Sequence, residues 1–379
     1  MFGVYIHIPF CKSKCPFCDF SVTSNRTQSS LDLYFEHLSF EIQSQASRWK
    51  HHPVIDTLFF GGGTPSLVAP HYIERIIDEL SGQIPFAPDI EISMECNPDD
   101  VFLDKIAMLQ DIGINRFSLG VQSFDDQVLK ALGRCHALSD IERAIHIFET
   151  CHIQNWSLDL MFALDGQKMS AWQSALDKAV SYHPPHISTY ELTIEKGTMF
   201  GKMLRHKKRA PFPEAAGAKM FAWTKAYLRG AGYTCYESSN AAKSGFACRH
   251  NMGCWQGDAY WGVGVSAHSR WIQNLNIKRY QNPKTFSAYL KTQSFEHPSI
   301  KQDITYPSYV EECVWTGLRL AQGIEIDQWK DYADSLGKNF EHKASELFER
   351  KLLVQDQKTI RICPEASHLA DAIALELLA

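Results

Sequence analysis

The chain has 379 residues, of which 45 % are hydrophobic and 21 % charged, and its formal net charge is −5. That is enough chain for two or three globular domains. It gives no reason to expect bulk attraction to nucleic acid or to a membrane surface. No apolar run approaches the roughly 18 residues that span a bilayer.

The first residues enter a strand-like Phe2–Ile6 directly, so no secretory leader is expected. Strand-like and helical patterns then alternate. Val4–Ile8 reads as a strand and Leu31–Trp49 as an amphipathic helix. Thr57–Phe60 is a second strand, running into Gly61-Gly62-Gly63-Thr64-Pro65, and Tyr72–Leu80 is helical. Ile90–Glu95 forms a third strand, followed by a helix over Leu103–Ile112 that Gly113 closes. Arg116–Gln122, Trp156–Leu164 and Ile187–Leu192 are strands four to six, separated by helical stretches.

Six strand–helix units without hairpin signals predict an α/β fold with a parallel sheet. Six are too few to close an eight-stranded barrel, so the expectation is a partial (β/α)6 TIM-like barrel, with its site at the carboxyl ends of the strands. Glu95 and Gln122 fall at such ends, and Asp159 lies within strand five.

After residue 195 the pattern changes. Residues 201–210 carry Lys202, Arg205, His206, Lys207, Lys208 and Arg209. They read either as a solvated loop or as a clamp for an anionic ligand such as porphyrin propionates. Pro213–Leu228 is a predicted helix and Tyr233–Glu237 a strand. The stretch from His250 to Ser269 is rich in Gly and aromatics and reads as strands and tight loops. Helices near Glu311–Arg319, Asp327–Ser335 and Phe340–Leu352, then a hairpin over Leu353–Ile362, suggest a winged-helix shape. With so few basic residues there, no nucleic-acid binding is expected. The expected domains are 1–212, the partial barrel, and 213–379, a mixed and largely helical C-terminal domain that is winged-helix-like from about 305.

Eleven cysteines do not form a spaced disulfide framework. They read as intracellular thiols plus a metal site, which places the protein in the cytoplasm. Cys96, Cys135, Cys151, Cys235, Cys313 and Cys363 read as packing residues. Cys11, Cys15 and Cys18 are different, because three thiols within eight residues can meet one metal centre. Three is one short of a closed zinc site. It suits a cubane iron–sulfur cluster with one iron left open.

With the triglycine turn beside it, this motif resembles the radical S-adenosylmethionine superfamily, in the branch of the oxygen-independent coproporphyrinogen III oxidases. The resemblance covers almost the whole chain. It implies a 4Fe–4S cluster on Cys11, Cys15 and Cys18, with S-adenosylmethionine (SAM) chelated to the open iron. It also implies that Phe17 packs on the adenine and that Gly62, Gly63 and Thr64 face the methionine end. Tyr5 would lie near the cluster, and Glu95, Gln122, Arg134 and Asp159 would line two adjacent SAM sites. Taken singly, Glu95 and Asp159 could equally be structural ion pairs and Arg134 a helix-terminal charge.

Three departures refine the resemblance. Phe20 stands where the oxidases carry a further cysteine, and Cys11 lies close to the start, where they carry an extension. Both features resemble the shorter HemW-type haem chaperones, marked by a His-Asn-x-x-Tyr-Trp segment. Here that segment is His250-Asn251-Met252-Gly253-Cys254-Trp255, with Cys254 in place of tyrosine. The third departure is the segment Met161-Phe162-Ala163-Leu164-Asp165-Gly166, where relatives tend to have a Gly-Leu-Pro turn.

The resemblance implies haem as a bound molecule and haem-accepting proteins as partners. It admits peripheral contact with membrane haem proteins, and a homodimer. His250 is the haem candidate, with a hydrogen-bonded structural histidine as the other reading. The alternative function is oxidative decarboxylation of coproporphyrinogen III, an activity that Phe20 argues against.

Overall fold

Along the first strand the even positions Phe2, Val4, Ile6 and Ile8 are buried in the apolar core, while the odd positions Tyr5 and His7 face a cavity. This period-2 alternation is unusual for a parallel sheet, whose strands are normally apolar on both faces. It recurs in the next strands, where Leu58 and Phe60, Ile92 and Met94, Phe117 and Leu119, and Leu158 and Leu160 are buried outward. Phe59, Glu95, Arg116, Ser118, Gln122, Asp159 and Ser188 line the interior. A sheet with one apolar and one polar face curls around a wet interior rather than a packed one.

The computed structural model describes residues 1–295 and 300–379. Its first half alternates β1 (Phe2–Ile8), α1 (Gln28–Trp49), β2 (Ile55–Gly62), α2 (Pro70–Gln83), β3 (Phe86–Cys96) and α3 (Leu103–Asp111). It continues through β4 (Arg116–Gln122), α4 (Asp126–Ala131), α5 (Leu138–Thr150), β5 (Trp156–Phe162), α6 (Met169–Ser181) and β6 (His186–Glu191). These six strands pair in parallel and in chain order, forming the expected partial barrel.

Helices α7 (Met199–Arg205) and α8 (Glu214–Gly230) follow, then β7 (Thr234–Cys235) and β8 (Asn240–Ala242), which extend the sheet beyond β6. After α9 (Arg249–Trp255), strand β9 (Ala259–Val263) pairs in parallel with the free edge of β1. Strands β10 (His268–Gln273) and β11 (Asn276–Gln281), helix α10 (Phe286–Leu290) and β12 (Ile300–Ile304) continue from there. The result is one twelve-stranded sheet. Both edges of the six-strand core are therefore covered by later strands over part of their length. Residue 212 lies between α7 and α8, and strands from both sides of it share this sheet.

The remainder is α11 (Tyr306–Gly317), β13 (Ile324–Glu325), α12 (Ile326–Leu336), α13 (Lys338–Glu349), the hairpin β14 (Leu353–Gln355) and β15 (Thr359–Ile362), and α14 (Ala370–Leu378). It packs around its own apolar cluster, which includes Val310, Val314, Trp329, Phe340 and Leu347.

Two expectations for the second half need correction. The basic stretch is not one loop, because Lys202 and Arg205 lie in the last turn of α7, where their charge suits the helix dipole. None of residues 202–209 lines the cavity. Arg209 instead pairs with Asp165 at 2.8 Å and lies 3.6 Å over the Phe200 ring. The His250 segment is a helix, not a loop. It holds a single glycine, Gly253, and its first amides are satisfied from outside: the Glu91 carboxylate accepts from Arg249 N at 3.0 Å and His250 N at 3.2 Å. A distant carboxylate at a helix N-terminus outweighs the roughly 1 kcal/mol cost of one glycine.

Candidate functional site

The polar interior faces a cavity of about 920 Å3 that is continuous from the cysteine loop to α9. Cys11, Cys15, Cys18, Tyr5, Phe17, Gly62, Gly63, Thr64, Glu95, Gln122, Arg134, Asp159 and His250 all line it. The strand ends gather all but one of these at the upper rim or wall, and His250 lies at the other end, against the beginning of β2.

The cysteine loop bends back on itself through a Cys18 N to Cys15 O hydrogen bond of 3.0 Å. Among the described residues no three His, Cys, Asp or Glu side chains converge tightly enough for a single ion. The three thiols face one cavity while standing apart, as ligands to separate irons of one cubane would. Their surroundings suit sulfur carrying negative charge. Thr64 Oγ1 donates to Cys11 Sγ at 3.6 Å, and Arg134 Nη1 donates to Cys15 Sγ at 3.8 Å. Asn97 ties these donors together, giving Nδ2–H to Thr64 Oγ1 at 3.2 Å and accepting from Arg134. In the metal-free chain, burial pushes the Cys11 thiol up to about 11, so a bound cluster must supply the charge that makes it a thiolate. A Cβ on Gly63 would lie 2.8 Å from Phe10 O, so only glycine lets β2 approach the cysteine loop this closely. The donor set and its cradle fit a three-thiol cluster.

Glu95 is half-buried in the cavity wall. It accepts from Gly62 N at 3.0 Å, and burial, then the nearby Asp159 carboxylate, push its carboxyl up to about 7. Asp159 is held by Ser118 Oγ at 2.7 Å and Ser157 Oγ at 2.8 Å. Tyr5 donates to His7 Nδ1 at 3.1 Å, because His7 Nε2 must carry its proton toward Ser21 O at 2.8 Å. Gln122 has φ 65°, the left-handed region that favours glycine, at the lip of β4. Ala163 has φ 59°, so the turn after β5 also holds a side-chain-bearing residue in the left-handed region that favours glycine. Phe17 leans on Phe200, ring centroids 6.4 Å apart.

His250 is 7 % exposed and stacks on Phe59 with centroids 5.2 Å apart. Its Nδ1 meets Thr57 Oγ1 at 2.9 Å, and Nε2 has no hydrogen-bond partner among the described residues. Burial pulls its pKa down to about 4, so the ring is neutral at physiological pH. Phe20 is 63 % exposed at the cavity mouth and supplies no thiol there. Cys135, expected to be a packing residue, is exposed near Ser13, because it follows the turn that delivers Arg134 to the rim.

Residues 5–179 match the profile of the Radical SAM superfamily. The "Heme chaperone HemW" of Escherichia coli (strain K12) is 36 % identical over 299 residues, 77 % of each chain. The protein of the same name from Lactococcus lactis is 30 % identical over 98 % of this chain and 96 % of its own. The chain belongs to the HemW family. Membership in this radical SAM family implies a 4Fe–4S cluster and SAM. Coproporphyrinogen III oxidase (HemN) from Escherichia coli superposes with a TM-score of 0.83 over 99 % of this chain and 89 % of its own, at 22 % identity, and so shares the fold.

Sequence reasoning missed several residues in and around this cavity. Asn97 bridges Thr64 and Arg134, and Glu91 fixes α9. Arg116 and His186 are buried on the inner face of the sheet. Strict alternation in β3, β4 and β6 placed all but Asn97 on the cavity face, so period 2 was the available signal.

Proposed function

We propose that the chain is a haem chaperone: it takes up haem in the interior cavity and passes it to haem-accepting proteins. Cys11, Cys15 and Cys18 hold the cluster. Phe17, Gly62, Gly63 and Thr64 grip SAM at the rim, with Tyr5, Glu95, Gln122, Arg134 and Asp159 around them. When bound, the cluster and SAM supply a regulated electron source at the mouth, while the chain itself shapes the cavity. The barrel, 1–212, carries this rim. Residues 213–379 supply α9 and cover the sheet edges. Acceptor proteins, some of them peripheral to membranes, a homodimer and a cytoplasmic location complete the proposal. No helix of the described residues is long and apolar enough to cross a membrane.

One observation carries this reading. A neutral imidazole with one free nitrogen lines the same cavity as the cysteine loop. Neutral histidine is the ordinary nitrogen ligand of haem iron. We do not extend the proposal to propionate decarboxylation, because Phe20 offers no thiol at the mouth. The test is haem titration by absorbance on protein whose cluster has been reconstituted anaerobically. Near-stoichiometric binding is expected, weakened about tenfold or more in His250→Ala, which corresponds to at least about 1.4 kcal/mol. Clustered wild-type protein that binds no haem overturns it.

A further inference from the structure

Arg116 is a buried charge without a side-chain partner among the described residues. It opens β4, is 2 % exposed, and lines the cavity. Among the described residues its side chain makes no hydrogen bond and no ion pair, and its Nε is buried without a partner. A guanidinium carries five donors in a fixed fork and cannot shed its proton. Leaving them unmet inside a protein is costly.

The neighbouring carboxylates do not meet these donors. Glu91 is taken up by the amides of Arg249 and His250, and Asp159 by the hydroxyls of Ser118 and Ser157. Burial opposes the charge on Arg116, and the fields of these two carboxylates are among those that favour it. They therefore balance its charge while leaving its directional donors free. The site is electrostatically tolerated and chemically unsatisfied, as a ligand subsite would be.

Its position narrows the ligand. Gln122, at the lip of β4, lies six residue steps beyond Arg116, about 20 Å along an extended strand. A molecule held at the cysteine loop by its amino-acid head does not place that carboxylate so deep. Strand register instead aligns Arg116 with Ser93 and Phe59 in one row, and Phe59 is the ring on which His250 stacks. The same floor thus presents a neutral imidazole nitrogen and an unmet guanidinium fork. Arginine engages carboxylates in paired, charge-assisted hydrogen bonds.

We propose that Arg116 is the carboxylate anchor of the cavity and binds a propionate of the haem that His250 faces. The inference rests on the haem reading given above. The basic stretch 202–209 cannot serve in its place, since it stays outside the cavity.

The test compares haem with haem dimethyl ester, whose propionates carry no charge, by absorbance titration of the full-length clustered protein. Wild type should bind haem about ten- to a hundredfold more tightly than the ester, the range of a charged hydrogen bond. Arg116→Gln should remove that preference by weakening haem and sparing the ester, and Arg116→Lys should restore it in part. Because the first comparison needs no variant, a misfolded Arg116→Gln leaves it decisive. Equal wild-type affinities for the two ligands overturn this inference alone. So does a variant that weakens both equally, or one that loses SAM in equilibrium dialysis while keeping its preference for haem. Failure of wild type to bind either ligand overturns the haem reading as well.

Discussion

Gln122 shows how one residue can hold stability and function in opposition. Its backbone is left-handed, a conformation that costs a side-chain-bearing residue about 1 kcal/mol or more. Its side chain makes no hydrogen bond among the described residues, yet it lines the rim of the cavity. Glycine would relieve the backbone and lose the side chain. Gln122→Gly should therefore raise stability by about 1 kcal/mol in urea unfolding. It should also weaken SAM several-fold in equilibrium dialysis of the clustered protein. Both effects in the same direction would remove Gln122 from the rim's working residues. His250 and Arg116 pose a related case, since each has polar atoms unmet within the protein. Neither the strain nor the unmet atoms were legible in the sequence. They depend on which donors and acceptors from other strands arrive beside them, and residue type alone is silent on that.

At the scale of elements, α9 depends on a carboxylate from another part of the chain. Glu91 accepts from two of its first amides and also meets Cys248 Sγ at 3.6 Å. Composition pointed to a loop here, because the partner lies more than 150 residues earlier in the chain. The strands were legible for the opposite reason, since their period-2 pattern is local and each unit repeats it. Truncating the cap leaves a helix end buried without acceptors. Glu91→Ala should cost about 2–3 kcal/mol in urea unfolding. It should also lower haem affinity, because α9 carries His250. Glu91→Gln retains an acceptor oxygen and should recover part of each loss. If Glu91→Ala destabilises the protein with haem affinity untouched, α9 does not position the haem ligand.

On the scale of the whole molecule, the barrel and its later strands are joined by a buried acid. Glu41 of α1 is 0 % exposed. It accepts from Gly264 N at 2.9 Å, Asn282 Nδ2 at 2.6 Å and Tyr289 OH at 2.7 Å. These donors come from the segments around β9 to α10 that cover β1, so one carboxyl fastens the first helix to the second half. Burial pushes its pKa up to about 7, against an ordinary value of 4.5, even though these three donors pull it down. The folded chain thus holds this proton more tightly than the unfolded chain does. The sign follows from linkage. The contribution is fully present below pH 4.5 and is lost as pH rises through 7, amounting to at most about 3 kcal/mol. Stability measured by urea unfolding across this window should fall with pH in wild type relative to Glu41→Gln, which cannot titrate. The two curves should diverge from about pH 4.5 and run parallel above about pH 7. Parallel curves throughout would mean that the three donors hold the carboxylate ionised in the fold, and that its attachment of α1 to the later strands is independent of pH.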